Sequence, residues 1–447
     1  MNAREYLKGK KVTVMGLGLL GRGVGDTKFL AECGAQLIVT DLKSAEELAS
    51  SLEEIKGFTN ITYVLGEHRL EDFEGRDYIL KAAGVPLDSP FIAHAKSAGI
   101  PIKMSASWFA ELTEIPVVGV TGTRGKSTVT HMLHAIMKEA GLNVLLGGNV
   151  RGVSTLALLN EVKEDSIALF ELDSWQLQGF GDAKLSPDVA VFTTFLDDHA
   201  NYYRGDTDQY LADKANIFLN QDATDTLIIG EQCAELIKEK YGNQIIAHVI
   251  KAGAQDFRAD WSLNIPGEHN RYNAALAVEA ARALDIDDEV IQTALENFAG
   301  VPGRLELVRE KDGVKFYNDT NATTPDATTA ALKALSENAG HPMSSIDPNI
   351  ILIMGGADKG LNIRPFMEEV ELYVKKIILL AGTGTKFVST YLQDAPVYDT
   401  LKSAVQDAVG SAQPGDIVLF SPGFASFGMF KNEYDRGDQF NALIKAL

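Results

Sequence analysis

Short apolar runs at residues 11–15, 36–40, 62–65, 78–81 and 100–103 punctuate the first hundred positions, and helical periodicity fills the gaps between them. Strands buried on both faces beneath crossover helices produce that alternation, so a parallel sheet is expected. The pattern restarts near Ile115. A hydrophobic run through residues 117–121 leads into a helix over 128–140 closed by Gly141. Strands at 166–172, 188–194 and 226–229 follow, then helices at 270–284 and near 289–298. The turn-rich connector Gly300-Val301-Pro302-Gly303-Arg304 marks a boundary. Beyond it come strands at 305–309 and 315–318, a helix over 325–337, a polar, proline-containing loop at 339–349, and strands at 350–354, 376–380 and 416–420 alternating with helices. The expected fold is α/β, with three domains in series. These are an N-terminal Rossmann-like parallel sheet (1–112), a central P-loop ATPase-like domain (113–300) and a C-terminal Rossmann-like domain (301–447). No solenoid repeat or low-complexity tract interrupts them.

Composition narrows the class without changing the picture. The 447 residues are 45% hydrophobic and 23% charged, as in ordinary globular proteins, and suffice for several separate cores. A net charge of −20 argues against a nucleic-acid footprint, which needs a basic face. The two cysteines, Cys33 and Cys233, have no metal-type spacing and are expected to be buried and reduced. No apolar run reaches the length of a membrane span, and the opening Met1-Asn2-Ala3-Arg4-Glu5 leads into no signal-like segment. A cytoplasmic protein, monomeric and without a membrane partner, is the expectation.

The sharpest chemical signal is Thr121-Gly122-Thr123-Arg124-Gly125-Lys126-Ser127-Thr128, placed between a β-branched strand and a helix. Such a turn aims backbone N–H groups and a helix N-terminus at an anion. Lys126 reaches terminal phosphates, and the Ser127 hydroxyl suits Mg²⁺. Only two residues separate Gly122 from Gly125, fewer than in the usual phosphate loop. Carboxylates for the metal are sought at the carboxyl ends of neighbouring strands, where open α/β sheets bind ligands. Glu171 ends one such strand, and Asp197-Asp198-His199 ends another. Lys214 lies on an amphipathic helix and by itself reads as a surface lysine. Near the N-terminus, Gly16-Leu17-Gly18-Leu19-Leu20-Gly21 follows the first strand, and the second ends at Thr40-Asp41, a pattern similar to a dinucleotide fingerprint.

In order along the chain, the phosphate loop, Gly147-Gly148-Asn149, Glu171-Leu172-Asp173-Ser174-Trp175-Gln176-Leu177, Asp198-His199, Lys214, Pro266-Gly267-Glu268-His269-Asn270, Pro302-Gly303-Arg304-Leu305-Glu306 and Tyr317-Asn318-Asp319-Thr320 resemble the Mur ligase family over essentially the whole length. The short glycine spacing is the form those ligases use. The N-terminal glycine turn, together with the segment from Leu419 to Phe427 and Phe430-Lys431-Asn432, is most similar to the D-glutamate-adding members.

The resemblance implies an ATP-dependent ligase of cytoplasmic peptidoglycan precursor synthesis. Its substrates would be UDP-N-acetylmuramoyl-L-alanine, ATP and D-glutamate, and an acyl phosphate would be the intermediate. It further implies that Gly122, Thr123, Arg124, Gly125, Lys126, Ser127 and Thr128 hold the ATP phosphates. Asn270 and Asn273 would border the adenine, and Arg304 and Asp319 would close over the nucleotide. Ser127 and Glu171 would serve one Mg²⁺ and His199 a second, with Lys214 a metal ligand as its CO₂-derived carbamate. Gly18, Leu19, Leu20, Thr40, Asp41 and Asn149 would bind the UDP precursor. Thr323, Lys359 and Ser426 would bind the incoming amino acid, and Lys126, Glu171, His199, Lys214 and Arg304 would carry the catalysis.

Departures from the family pattern cluster near the amino-acid site. Asn321 stands where a lysine is usual, Glu433 where an aromatic residue is usual, Asp173 for a serine, and Asn201 for an acid. A carboxylate at 433 would repel a dianionic amino acid unless it faces solvent or a cation. Arg124 in place of the common asparagine resembles poly-γ-glutamate synthetases, which lack the N-terminal glycine-rich domain. The alternatives are a Mur-type ligase with a different amino acid, a nucleotide-dependent regulatory module, and an NAD-dependent oxidoreductase built on the 16–21 turn. The last leaves the phosphate loop, Glu171 and Arg304 without purpose.

Overall fold

The computed structural model describes residues 3–19, 21–86, 88–198, 200–338 and 348–447. Leu20, His199 and most of the loop expected at 339–349 therefore lie outside the described residues. The chain forms two compact units. The first runs to Arg258 and includes Tyr272–Ala294; the second comprises Ala259–Arg271 and Leu295–Leu447.

The first unit holds two parallel sheets. In one, β1 (Lys11–Met15), β2 (Gln36–Asp41), β3 (Ile61–Leu65), β4 (Tyr78–Lys81) and β5 (Ile102–Lys103) take the order β3-β2-β1-β4-β5. The order reverses between β1 and β4, which places a crevice at their carboxyl ends. The other sheet contains β6 (Val117–Thr121), β7 (Asn143–Gly148), β8 (Ser166–Glu171), β9 (Val189–Phe192), β10 (Thr226–Gly230) and β11 (His248–Ala252) in the order β11-β10-β9-β6-β8-β7. Its strand β6 is central and fully buried. The helix Lys126–Glu139 covers the sheet through Val129, Met132, Leu133, Ile136 and Met137, all at 0% exposure and spaced as one helical face. Phe109, Phe170, Phe180, Phe192 and Phe218 belong to a single core cluster in this unit. Burial of each such ring stabilises the fold by about 1.5–3 kcal/mol.

In the second unit, β12 (Glu306–Lys311), β13 (Val314–Asn318), β14 (Ile350–Gly355), β15 (Val374–Leu380), β16 (Val397–Tyr398) and β17 (Ile417–Phe420) take the order β12-β13-β17-β14-β15-β16. Here the expected Rossmann-like sheet is mixed, because β12 runs antiparallel to β13. The cause is local: Asp312 and Gly313 both adopt positive φ (52° and 77°), the conformation of a two-residue hairpin turn.

Sequence patterning also overlooked β7, β11 and β16. Two of the six residues of β7 are glycines, β11 is an edge strand with mostly exposed side chains, and β16 has only two residues. Both cysteines are free and buried, and burial pushes their thiols up, Cys33 to about 11 and Cys233 to about 12. Among the described residues no helix is long and apolar enough to cross a membrane.

Candidate active site

Strand β6 delivers the chain into the loop ahead of the helix Lys126–Glu139, and two glycines make the turn possible. Gly122 has φ +139°, and a Cβ there would lie 2.0 Å from Thr193 Oγ1. Gly125, the N-cap, has φ +88°, and its Cβ would lie 2.5 Å from Asn273 Oδ1. The end of β9 braces the loop: the Thr193 hydroxyl donates to the Arg124 carbonyl, and the Thr123 N–H donates to the Thr194 carbonyl at 2.7 Å. Lys126 Nζ donates to the carbonyls of Gly122 (2.9 Å) and Thr123 (3.2 Å). Arg124 pairs with Asp198 at 3.2 Å.

Lys214 is not a surface residue. It is 1% exposed on the helix Thr207–Ala215, and its Nζ donates to the Gly122 carbonyl at 2.8 Å and the Thr121 hydroxyl at 3.4 Å. Two lysines thus share one carbonyl. Burial first, and the charge of Lys126 second, hold the Lys214 amine well below its ordinary range, against the opposing pull of Asp173, Asp198 and Asp213. Glu171 ends β8 at 4% exposure, and among the described residues its carboxylate receives no hydrogen bond or ion pair. Asp173 has a structural assignment: its Oδ1 accepts the Gln176 N–H at 2.8 Å, and the Gln176 side chain returns to the Asp173 N–H, forming a capping box on the helix Ser174–Ala183.

No group of three His, Cys, Asp or Glu side chains suited to a metal occurs among the described residues. A divalent ion here needs other oxygens. The buried Glu171 carboxylate offers two such oxygens, and the Lys214 amine, held well below its ordinary range, suits addition of CO₂, which only a neutral lysine undergoes to become a carbamate. Ser127, Glu171 and Lys214 therefore suit a hard cation such as Mg²⁺.

A cleft of about 350 Å³ opens in the first unit, lined at one end by Gly16, Gly18 and Leu19 and at the other by Lys126, Asp173 and Trp175. Asp41 accepts the Gly18 N–H at 3.0 Å and so holds the glycine turn. Thr40 is fully buried, and its hydroxyl bonds the Glu67 carbonyl and His68. Asn149 joins the two ends: its side-chain oxygen accepts from Arg22, and its N–H donates to the Glu171 carbonyl at 2.7 Å.

Sequence reading missed Arg22 and Asp26, both on the cleft wall, although their place in the first turns after Gly21 was a usable signal. Asp26 is buried and accepts from the Ser105 (2.8 Å) and Ser154 (2.6 Å) hydroxyls through one oxygen, and burial raises it to about 6. Above that pH the folded protein holds a buried charge that the unfolded chain, titrating near 3.8, solvates freely. Asp26→Asn keeps the accepting oxygen and removes the charge. It is expected to raise thermal stability at pH 8 by on the order of 2 kcal/mol, with the gain shrinking as pH falls and vanishing near pH 4. Melting curves across that range check it; a gain independent of pH counts against a charge origin.

In the second unit, Asp319 is buried and accepts from the Ser421 hydroxyl (2.8 Å) and the Leu305 N–H (3.1 Å). Burial raises its carboxyl to about 7, with Arg304 opposing. Lys359 Nζ donates to the Thr323 hydroxyl at 2.9 Å. Ser426 is buried, next to Ala425, which exchanges two backbone hydrogen bonds with Ala357. Thr323, Lys359 and Ser426 thus hang from mutually bonded segments. Asn270 donates to the Pro266 carbonyl at 2.6 Å, whereas Asn273 belongs to the first unit, against Gly125.

Three family descriptions match in series: the MurD-like N-terminal domain of Mur ligases over residues 10–104, the Mur ligase middle domain over 120–281, and the Mur ligase glutamate ligase domain over 303–424. UDP-N-acetylmuramoylalanine–D-glutamate ligase of Roseiflexus sp. (strain RS-1) is 35% identical, covering 98% of this chain and 99% of its own length. The protein of the same name from Borreliella afzelii is 36% identical, over 99% of both. Among solved structures, UDP-N-acetylmuramate-alanine ligase MurC of Thermotoga maritima superposes with a TM-score of 0.63 at 18% identity, covering 98% of this chain and 99% of that one. MurF ligase of the same organism, solved with ADP, gives 0.59 at 17%, covering 100% and 98%. At these identities the two structures speak for the fold.

Proposed function

We propose, from the premise that the chain belongs to the Mur ligase family, that it joins D-glutamate to UDP-N-acetylmuramoyl-L-alanine in peptidoglycan precursor synthesis. It is an ATP-dependent, ADP-forming amide ligase. The observation that carries the substrate assignment is the cleft running from the glycine turn to Lys126, which suits a long nucleotide-sugar whose reactive end must meet the terminal phosphate of ATP.

In this reading Gly18, Leu19, Leu20, Thr40, Asp41 and Asn149 hold the precursor, and its terminal carboxylate faces Lys126. The carboxylate attacks the γ-phosphate, forming a P–O bond while the bond to the β-phosphate oxygen breaks, and ADP leaves. The glutamate amine then adds to the acyl phosphate carbon, and phosphate departs as the amide forms. A free carboxylate is a poor electrophile, so this phosphorylation is what makes the amide accessible. Gly122, Thr123, Arg124, Gly125, Ser127 and Thr128 orient the phosphates through backbone N–H groups, and Lys126 neutralises charge developing on the transferred group. Mg²⁺, held by Ser127, Glu171 and Lys214 as its carbamate, with His199 serving a second ion, supplies further charge neutralisation when bound. Asn270, Asn273, Arg304 and Asp319 are assigned to ATP, and Thr323, Lys359 and Ser426 to D-glutamate. The divisions 1–112, 113–300 and 301–447 are proposed as the precursor, ATP and amino-acid domains of a cytoplasmic monomer.

Phosphate release with Mg²⁺, ATP and UDP-N-acetylmuramoyl-L-alanine is expected to rise on adding D-glutamate and on no other member of a D- and L-amino-acid panel. Stimulation by a different amino acid would overturn the amino-acid assignment and redirect attention to Asn321 and Glu433. Stimulation by none would overturn the reaction.

A further inference from the structure

We infer that Arg436 is a positioning residue for the amino-acid site, an inference that rests on the functional reading above. Arg436 lies in the first turn of the helix Glu433–Lys445 and is 0% exposed. Its guanidinium spreads over two loops at once. Nε donates to the Thr320 hydroxyl (3.1 Å) and Nη2 to the Thr320 carbonyl (2.7 Å), while Nη1 donates to the Phe424 carbonyl (3.0 Å). The Thr320 hydroxyl donates in turn to the Glu433 carbonyl at 3.0 Å, tying the loop to the start of the same helix. At Gly437 a Cβ would fall 2.6 Å from Thr320 Cγ2, so helix and loop are in close contact along this line.

No carboxylate among the described residues lies within ion-pair distance of Arg436, and burial pulls the guanidinium down to about 10. Burying an unpaired cation is costly, and an apolar side chain of similar volume would fill the space with less penalty. What an apolar residue cannot do is present three directed donors in one plane. Those donors fix the loops that follow neighbouring strands β13 and β17. The first loop leads from Thr320 to Thr323; the second leads from Phe424 to Ser426. The pairing of Ala425 with Ala357 extends the same tie to the segment carrying Lys359. Each proposed amino-acid contact therefore sits on a segment fastened, directly or at one remove, by this side chain.

Arg436 also answers the difficulty posed by Glu433. That carboxylate is the charged group that acts electrostatically on the buried guanidinium. The attraction between them works against the repulsion that Glu433 would exert on an anionic amino acid.

The test compares Michaelis constants for all three substrates. In Arg436→Lys, which keeps the charge but loses the fork, the KM for D-glutamate is expected to rise by about tenfold or more, with those for ATP and the UDP precursor within about twofold. Thr320→Val, which removes one acceptor and leaves the arginine, is expected to move the same constant in the same direction by a smaller factor, and it serves if the arginine variant does not fold. An unchanged KM for D-glutamate beside a lowered melting temperature would overturn the inference, as would an equal rise in all three constants. Failure of the unmodified protein to respond to D-glutamate is a separate result, which overturns the functional reading. The comparison is then made with whichever amino acid drives turnover, and with none, the inference falls too.

Discussion

Replacing Lys214 with alanine is expected to lower D-glutamate-dependent phosphate release by about a thousandfold, and adding acetate or formate to restore part of the loss. The expectation follows from what surrounds the amine. Lys214 is buried, shares the Gly122 carbonyl with Lys126, and is held well below its ordinary range by desolvation and by that second ammonium. An uncharged amine adds CO₂, forming one N–C bond and releasing one proton, and the product carries the two oxygens of a carboxylate. A small carboxylic acid diffusing into the space left by alanine replaces those oxygens without the tether. Lys214→Arg is expected to be as inactive as the alanine variant and not to be rescued, because a guanidinium stays charged and cannot be carbamylated. Steady-state phosphate release with and without the added acid decides the matter. Full activity in the arginine variant would remove the carbamate from the scheme.

Lys126→Ala carries an expected loss of similar size, about a thousandfold in kcat, with little change in the KM of the precursor. The side chain donates to the carbonyls of its own loop, Gly122 and Thr123, which keeps the ammonium at the turn proposed to hold the phosphates. Its removal has a second effect, because Lys126 is the leading charge that suppresses ionisation of Lys214. Without it the Lys214 amine moves back toward the charged form, and less of it is available to CO₂. The two substitutions should therefore be strongly non-additive: the double variant is expected to be scarcely worse than either single one. Losses that multiply would mean the lysines act independently.

The parts of this site that sequence made legible are those in which local chain chemistry and function coincide. The loop from Gly122 to Lys126 announces itself because positive φ and backbone donors require glycines at fixed places. Glu171 was found because a strand ended there. Lys214 was not distinguishable from a surface lysine by any periodicity, since its burial depends on how its helix packs against the helix Ser174–Ala183 and on its amine reaching Thr121 and Gly122; only the family resemblance singled it out. The Asp312-Gly313 hairpin was readable from its two residues and was passed over in favour of a uniform parallel pattern. Arg436 carried no local signal at all. Its partners, Thr320 and Phe424, are 116 and 12 residues away, and the role exists only once three segments meet. Asp26 is similar, its donors Ser105 and Ser154 lying 79 and 128 residues on.

The placement of β6 at the middle of its sheet bears on the order in which a growing chain becomes competent. This strand and its loop emerge early, yet the groups that brace the loop are made much later. Thr194 lies 70 residues after Arg124, and Tyr272, whose hydroxyl bonds the Thr193 carbonyl at 2.7 Å, follows 79 residues after Thr193. Translation at about 5–20 residues per second leaves the loop unsupported for several seconds or more. The turn after β6 therefore reaches its braced form late, only once the segment carrying Tyr272 has left the ribosome.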